Sequence, residues 1–142
     1  MRDSSVKLWS AIHALLYRVT RGLIGRRLVH NDILLLTTQG HRTGDAHTVP
    51  LLHLTDSDRY LVIASYGGRP RHPTWYENLV ARPEVWVQIR SRRQPMVART
   101  ATPEERERWW PRIVGAYADY AVYQSRTDRE IPVVFLEPFE QS

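Results

Sequence analysis

The chain has 142 residues, 42% hydrophobic and 25% charged, a size and balance that fit one ordinary domain and exclude intrinsic disorder. It contains no cysteine, which excludes disulfides, thiol catalysis and cysteine-bound metals. The net charge of +5 is local: residues 4–30 carry five bases (Lys7, Arg18, Arg21, Arg26, Arg27) and no acid, whereas residues 31–142 hold 14 bases against 14 acids.

Nucleic-acid binders spread positive charge along a broad face, so no nucleic-acid partner is expected. No apolar run approaches the roughly 20 residues of a membrane span, and the opening residues carry no signal-peptide pattern. A cytoplasmic protein is expected.

Residues 6–23 read as an amphipathic helix. Leu8, Trp9, Ile12, Leu15, Leu16, Val19 and Leu23 share one side, with Lys7, Ser10, Tyr17, Arg18 and Arg21 opposite. Two readings compete for the wider basic segment, 6–27. It docks on the protein's own core, or it lies on the inner face of an anionic membrane with arginines at the headgroups. Residues 1–30 are therefore set apart from a domain spanning 31–142.

From residue 33 the pattern turns to strands. Strands are expected at 33–38 and 47–54, joined by a turn, Gly40-His41-Arg42-Thr43-Gly44, more cationic than a plain hairpin needs. Its glycines permit positive φ, so amides can face an anion; Arg42 can fork onto phosphate oxygens and Thr43 can add a hydroxyl. A solvated hairpin tip is the plainer alternative.

A strand at 59–65 follows and runs into the breaker Gly67-Gly68-Arg69-Pro70. A short helix over 72–81 carries Trp75, Tyr76 and Asn78; the indole reads as core or as the wall of a flat ligand. Strands are then expected at 84–89 and 95–102. The sequence Thr102-Pro103-Glu104-Glu105 forms a capping box that opens a helix to about residue 124, kinked by Pro111 at Trp110. Tyr117, Tyr120 and Tyr123 fall at i, i+3, i+6 on that helix, as a core edge or as the roof of an apolar pocket. A last strand covers 131–136. About six antiparallel strands with flanking helices predict a mainly β, α+β fold, a closed or half-closed barrel.

Several chemistries lack their signatures. Neither GxGxxG nor GxxxxGK[ST] is present, no GxSxG elbow occurs, and the six histidines show no metal-ligand spacing, so no metal site is expected.

The stretches LLLTTQGHRTGDAHTVPLL (34–52), YLVIASYGG (60–68), HPTWYENL (72–79) and YADYAVYQSRTDREIPVVFLE (117–137) together resemble the deazaflavin-dependent nitroreductases, which use reduced coenzyme F420 (an 8-hydroxy-5-deazaflavin) on quinones and nitroaromatics. The resemblance implies a split β-barrel related to flavin-mononucleotide-binding oxidoreductases. It implies that His41, Arg42 and Thr43 hold the coenzyme's phosphate and acidic tail, with His47, Thr48, Val49, Pro50, Leu51 and Leu52 continuing the groove. Ile63, Ala64, Ser65 and Tyr66, with Thr74, Trp75, Tyr76, Glu77 and Asn78, would line the ring and ribityl chain. Ser65, Tyr117, Tyr120 and Tyr123 would face a quinone or nitroaromatic substrate. Tyr120 also lies near the coenzyme and, with Ser65, is the expected catalytic group: Tyr120 or a water it orients gives the proton, and Ser65 bonds the acceptor oxygen.

Two positions depart from the family's usual pattern, His41 where a second strong base is frequent and Tyr66 where a lysine is common. Rival readings are an FMN-dependent oxidoreductase of the same barrel class and a non-catalytic coenzyme carrier. A homodimer and peripheral membrane contact are further expectations.

Overall fold

A computed structural model describes residues 33–139. The helix expected within 6–27 lies outside the described residues. In β1 (Ile33–Gln39) buried and half-exposed side chains alternate, Leu34, Leu36 and Thr38 pointing inward, the period-two signature of a strand with one covered face. It pairs antiparallel with β2 (Ala46–Leu52) along its whole length, from Ile33 opposite Leu52 to Gln39 opposite Ala46. Then come β3 (Leu54–Asp56), β4 (Arg59–Ile63), α1 (Thr74–Ala81), β5 (Glu84–Ile89), β6 (Arg92–Thr100), α2 (Pro103–Ala116), α3 (Asp119–Ser125) and β7 (Val133–Pro138).

All seven strands form one antiparallel sheet in the order β2-β1-β5-β6-β7-β4-β3. Its two edge strands, β2 and β3, are separated in the chain by His53 alone. The sheet must therefore curl until its edges approach, and β2 comes into contact with β4. The expected split barrel is the result.

Seven strands replace the expected six because the stretch read as one strand over 47–54 bends at His53 and pairs with different partners on either side. The last strand starts at Val133 rather than residue 131; Pro132 instead gives its carbonyl to the Ala64 N–H (3.0 Å).

Two packed layers follow. Inside the curl, Leu34, Leu36, Val62, Val85, Val87, Met96, Val134 and Leu136 form a core that Trp75 and Leu79 of α1 complete. On the outer face, Leu61, Ile63, Val133 and Phe135 are covered by Trp109, Ile113, Tyr117 and Tyr120. Strand β7 is consequently buried on both sides, with Val133 to Leu136 each at 0% exposure.

The capping box forms as read: Thr102 Oγ1 accepts from the Glu105 N–H (3.2 Å), and Glu105 Oε1 accepts from the Thr102 N–H (2.9 Å). The kink expected at Trp110 does not divide the helix, since α2 runs through Pro111 to Ala116. Proline removes the N–H that would reach the Glu107 carbonyl. Glu107 and Pro111 are both exposed, so water can take that carbonyl. The helical run is interrupted at Tyr117 and Ala118 instead.

A charged lattice ties the outer face together. Both Glu105 oxygens accept from Arg99 (2.8 and 2.9 Å), and Arg99 Nε donates to Glu137 (2.7 Å), which also accepts from Arg59 (3.2 Å). The two guanidiniums stack on Phe135 at 4.2 and 4.7 Å. Hydrogen bonding to Arg99 holds the Glu105 carboxyl at about 2, and Glu137 shifts down for the same leading reason. Depressed carboxyls contribute stability above their unfolded values and lose it as pH falls through the folded ones. Stability should therefore decline from about pH 5 towards pH 2. Because Arg99 is 39% exposed, Glu105→Gln should cost only about 1 kcal/mol at pH 7. It should cost less at pH 3, as read by urea unfolding; an equal cost at both pH values would dismiss the ion pair as the cause.

Candidate active site

The cationic turn is a rigid object. The Gly40 N–H donates to the Asp45 carbonyl (2.7 Å) and the Gly44 N–H to the Gly40 carbonyl (2.8 Å). Gly44 has φ +79°, which favours glycine, and a Cβ at Gly40 would meet Thr43 Oγ1 at 3.0 Å and His47 Nε2 at 3.1 Å. Arg42 and Thr43 are left exposed at the tip, and among the described residues Arg42 joins no ion pair.

Asn78 brackets the turn from α1. This side chain is 0% exposed. Its Oδ1 accepts from the His41 backbone N–H (3.1 Å) and lies 2.6 Å from His41 Nδ1, while its Nδ2 donates to Thr38 Oγ1 (3.1 Å). Two sequence-predicted residues 37 positions apart are thus joined directly. Along β2, His47 is exposed and pairs across to Thr38, and Thr48 Oγ1 lies 2.8 Å from Thr37 Oγ1. Val49 and Leu51 pack on the inner core, Leu52 packs on the outer one, and Pro50 is half-buried.

A second cluster forms where β4 ends. Ile63 and Ala64 are buried, and Ser65 leads into a short 3-10 turn, Tyr66–Gly68. Tyr66 (φ +48°), Gly67 (+64°) and Gly68 (+82°) all lie in the left-handed region. Arg129 holds this loop from behind. Its guanidinium donates to the carbonyls of Ala64 (3.2 Å), Ser65 (2.7 Å) and Arg69 (2.9 Å) and to His72 Nδ1 (3.0 Å). A guanidinium can only donate, so His72 Nδ1 is the acceptor and carries no proton. Burial and the neighbouring Arg129 charge both push the His72 imidazole below its ordinary value. Tyr66 is drawn down by a hydrogen bond from Arg71 and the charge of Arg69, whose Nη1 lies 3.0 Å from the phenol oxygen.

The helix over Thr74–Ala81 divides its predicted residues between surface and core. Thr74 and Glu77 are exposed, and Trp75 sits in the inner core at 8% exposure. Tyr76 packs against His72 at 4.8 Å and shares a 2.8 Å hydrogen bond with Thr100.

The three tyrosines do not share one helix: Tyr117 caps the end of α2, and the other two lie on α3. They still form one edge-to-face series, with ring centroids 6.0 and 6.1 Å apart. Burial first, and the neighbouring phenols second, push the Tyr120 hydroxyl well above its ordinary value. Burial raises Tyr123 as well. The Ser65 loop abuts this series, because a Cβ at Gly68 would stand 2.6 Å from the Tyr123 carbonyl oxygen.

The structure therefore gathers His41, Arg42, Thr43 and Asn78 at one place, and Ser65, Tyr66 and the tyrosines at another. Helix α1 spans the two, with Asn78 on the first and His72, just before its start, on the second. An open groove of about 700 Å³ adjoins the hairpin. It is lined by Thr37, Thr38, Gln39, Gly44 and Ala46, the segment 81–86, Pro95 and Phe139, and it includes neither Ser65 nor the tyrosines. Sequence reasoning missed Arg129 and Thr38. Arg129 sits in a polar turn that reads as solvated, and Thr38 reads as an ordinary strand residue; no local pattern marks either.

A curled antiparallel sheet with a glycine-built cationic turn and a loop of left-handed residues at its rim is a split barrel. A FAD-binding protein of Mesorhizobium loti shares the fold alone, with TM-score 0.56 at 10% identity over 78% of this chain and 83% of its own. The sequence pattern of the F420H(2)-dependent quinone reductase family matches residues 9–138, and the chain belongs to that family. An F420H(2)-dependent quinone reductase of Mycobacterium tuberculosis (strain ATCC 25618 / H37Rv) is 40% identical over 129 residues, 88% of this chain and 87% of the relative. A solved F420-H2-dependent reductase is 43% identical, covers 80% of this chain and 100% of its own, and has TM-score 0.70. A second solved relative, described as a domain-swapped dimer, is 39% identical over 89% of this chain and 96% of its own, also with TM-score 0.70. The chain is an F420H2-dependent reductase.

Gly68→Ala tests the loop packing. A methyl at φ +82° facing a backbone oxygen at 2.6 Å should cost about 1–3 kcal/mol. An unchanged melting temperature would show that the loop does not seat on α3.

Proposed function

We propose that this chain passes a hydride from reduced coenzyme F420 to a quinone or nitroaromatic acceptor. One observation carries the reading: a glycine-built turn, braced by a fully buried asparagine, presents an arginine in no ion pair among the described residues. A phosphate or carboxylate suits that cation, since a guanidinium fork matches paired anionic oxygens. The donor set thus fits the acidic half of the coenzyme: Arg42 and His41 meet the phosphate, Thr43 adds a hydroxyl, and β2 from His47 to Leu52 continues the contact.

When bound, the reduced coenzyme supplies the hydride from ring carbon C5. The loop from Ile63 to Tyr66, with the exposed side of the helix over 74–78, would hold the ring and position the acceptor beside it. Ser65 donates a hydrogen bond to the acceptor oxygen, and Tyr117, Tyr120 and Tyr123 roof the site against water. The Tyr120 phenol is protonated near neutral pH at a tyrosine's ordinary value, and burial moves it further from ionisation. It therefore donates a hydrogen bond to the oxygen that gains charge and orients the water that delivers the proton.

Oxidation of reduced F420, followed spectrophotometrically with menadione and with a nitroaromatic, is the direct test. Arg42→Ala should weaken coenzyme binding by about 1.5–3 kcal/mol, and Tyr120→Phe should lower turnover with little change in that binding. No oxidation of F420 with either acceptor would reject the reading. Unchanged affinity in Arg42→Ala would take the phosphate off the turn.

Two further parts of the proposal concern setting. The basic apolar stripe over residues 6–27 supports peripheral contact with an anionic membrane, and the relative described as a domain-swapped dimer supports a homodimer. Among the described residues no helix is long and apolar enough to cross a membrane. Co-sedimentation with anionic liposomes should be lost when residues 1–30 are deleted, and light scattering should return a dimer mass. Equal partitioning, or a monomer mass, would remove the corresponding part.

A further inference from the structure

The bracket between α1 and the turn dictates a protonation state. The His41 backbone N–H can only donate, so the atom of Asn78 facing it must be the carbonyl oxygen. The same oxygen lies 2.6 Å from His41 Nδ1. An acceptor oxygen at that distance requires a proton on Nδ1. The other half of the amide, Nδ2, donates to the 1%-exposed Thr38 hydroxyl; the His41 backbone N–H, which can only donate, is what fixes the orientation of the amide.

With Nδ1 holding the proton, a neutral His41 offers at Nε2 only a lone pair. A lone pair repels an anionic oxygen. Nε2 makes no hydrogen bond among the described residues, and it becomes a donor only when the ring takes a second proton.

We propose that Asn78 is a positioning residue that locks His41 in its Nδ1–H form, so that His41 grips an anionic oxygen of the coenzyme only as imidazolium and coenzyme binding takes up a proton. This rests on the reading that the turn holds the coenzyme's acidic half. A contact made only by the imidazolium takes up a proton as it forms, so affinity should fall as pH rises. The charged or titratable groups around the ring are Arg42 and Asp45 on its own turn, His47 on β2 and Glu77 on α1. None forms an ion pair with His41 among the described residues.

The test is titration of the full chain with oxidised coenzyme F420 between pH 5.5 and 8.5, read by fluorescence. The wild type should lose about tenfold in affinity relative to His41→Lys across that range, because lysine keeps its charge throughout. The coenzyme's own ionisations and those of His47 are common to both proteins and cancel in the ratio. Asn78→Asp, which places a carboxylate on Nδ1–H and favours the imidazolium, should move the fall to higher pH. A purely structural role for Asn78 would change affinity equally at every pH.

Parallel pH profiles for wild type and His41→Lys overturn the inference, while the reading of the turn survives if Arg42→Ala still weakens binding. If Arg42→Ala also leaves affinity unchanged, that reading falls and the inference with it. A melting curve on each variant identifies any that has failed to fold, and His41→Lys, at a half-buried turn position, keeps the test open if Asn78→Asp is lost.

Discussion

A single residue, His53, stands between the two strands that form opposite edges of the sheet. No flat seven-stranded sheet can satisfy that connection, because its edges would lie six strand spacings, roughly 28 Å, apart while the two Cα steps from Leu52 to Leu54 reach roughly 8 Å at most. Curling the sheet resolves the conflict and creates everything else: an inside that must be filled with aliphatic side chains, an outside that needs a helical cover, and a rim where turns and loops are presented. Strand β7, central and buried on both faces, is the hinge of this arrangement. Its outward Val133 and Phe135 seat the helices that carry the tyrosines, while its inward Val134 and Leu136 share the core with Trp75 of α1.

The rim is organised by two polar fasteners of opposite character. Asn78, neutral and fully buried, spends both ends of its amide on the cationic hairpin and its strand. Arg129, a cation with backbone carbonyls and an imidazole as its partners, gathers the loop after β4. Each uses a side chain's hydrogen-bonding geometry to hold a glycine-containing loop that would otherwise be mobile, a form of pre-organisation. Both act around α1, so movement of that helix would disturb the two clusters together. The buried core under Trp75 and Leu79 is what keeps it in place.

Much of this was legible in local sequence. A continuous apolar run announced β1, the turn before residue 59 announced β4, period-two alternation announced β5, the capping box at Thr102 announced α2, and the paired glycines announced the hairpin and the loop after β4. Of the residues the family resemblance named, His41 and Asn78 meet directly, whereas Ala64 and Trp75 lie in the inner core. Local pattern failed at specific points. The stretch over 47–54 carries no sign of its bend, since a strand changing partners looks the same as one keeping them. Pro111 argued for a kink or a restart at Trp110, and the helix runs through it without restarting. The tyrosines at i, i+3, i+6 belong to two helices, although their rings still meet.

What the sequence determined by itself is short-range: element types, turn chemistry, the lack of any cysteine thiol, and a cation at the tip of a glycine turn. These depend on propensity, periodicity and spacing within a few residues. Only the tertiary structure decided that Asn78 faces His41, that Arg129 binds the Ser65 loop, and that burial raises the Tyr120 hydroxyl above its ordinary value. Those facts join residues 37 to 65 positions apart or depend on the solvent a side chain loses. Hydrogen-bond partners and dielectric surroundings are properties of the closed barrel, and no stretch of chain carries them alone.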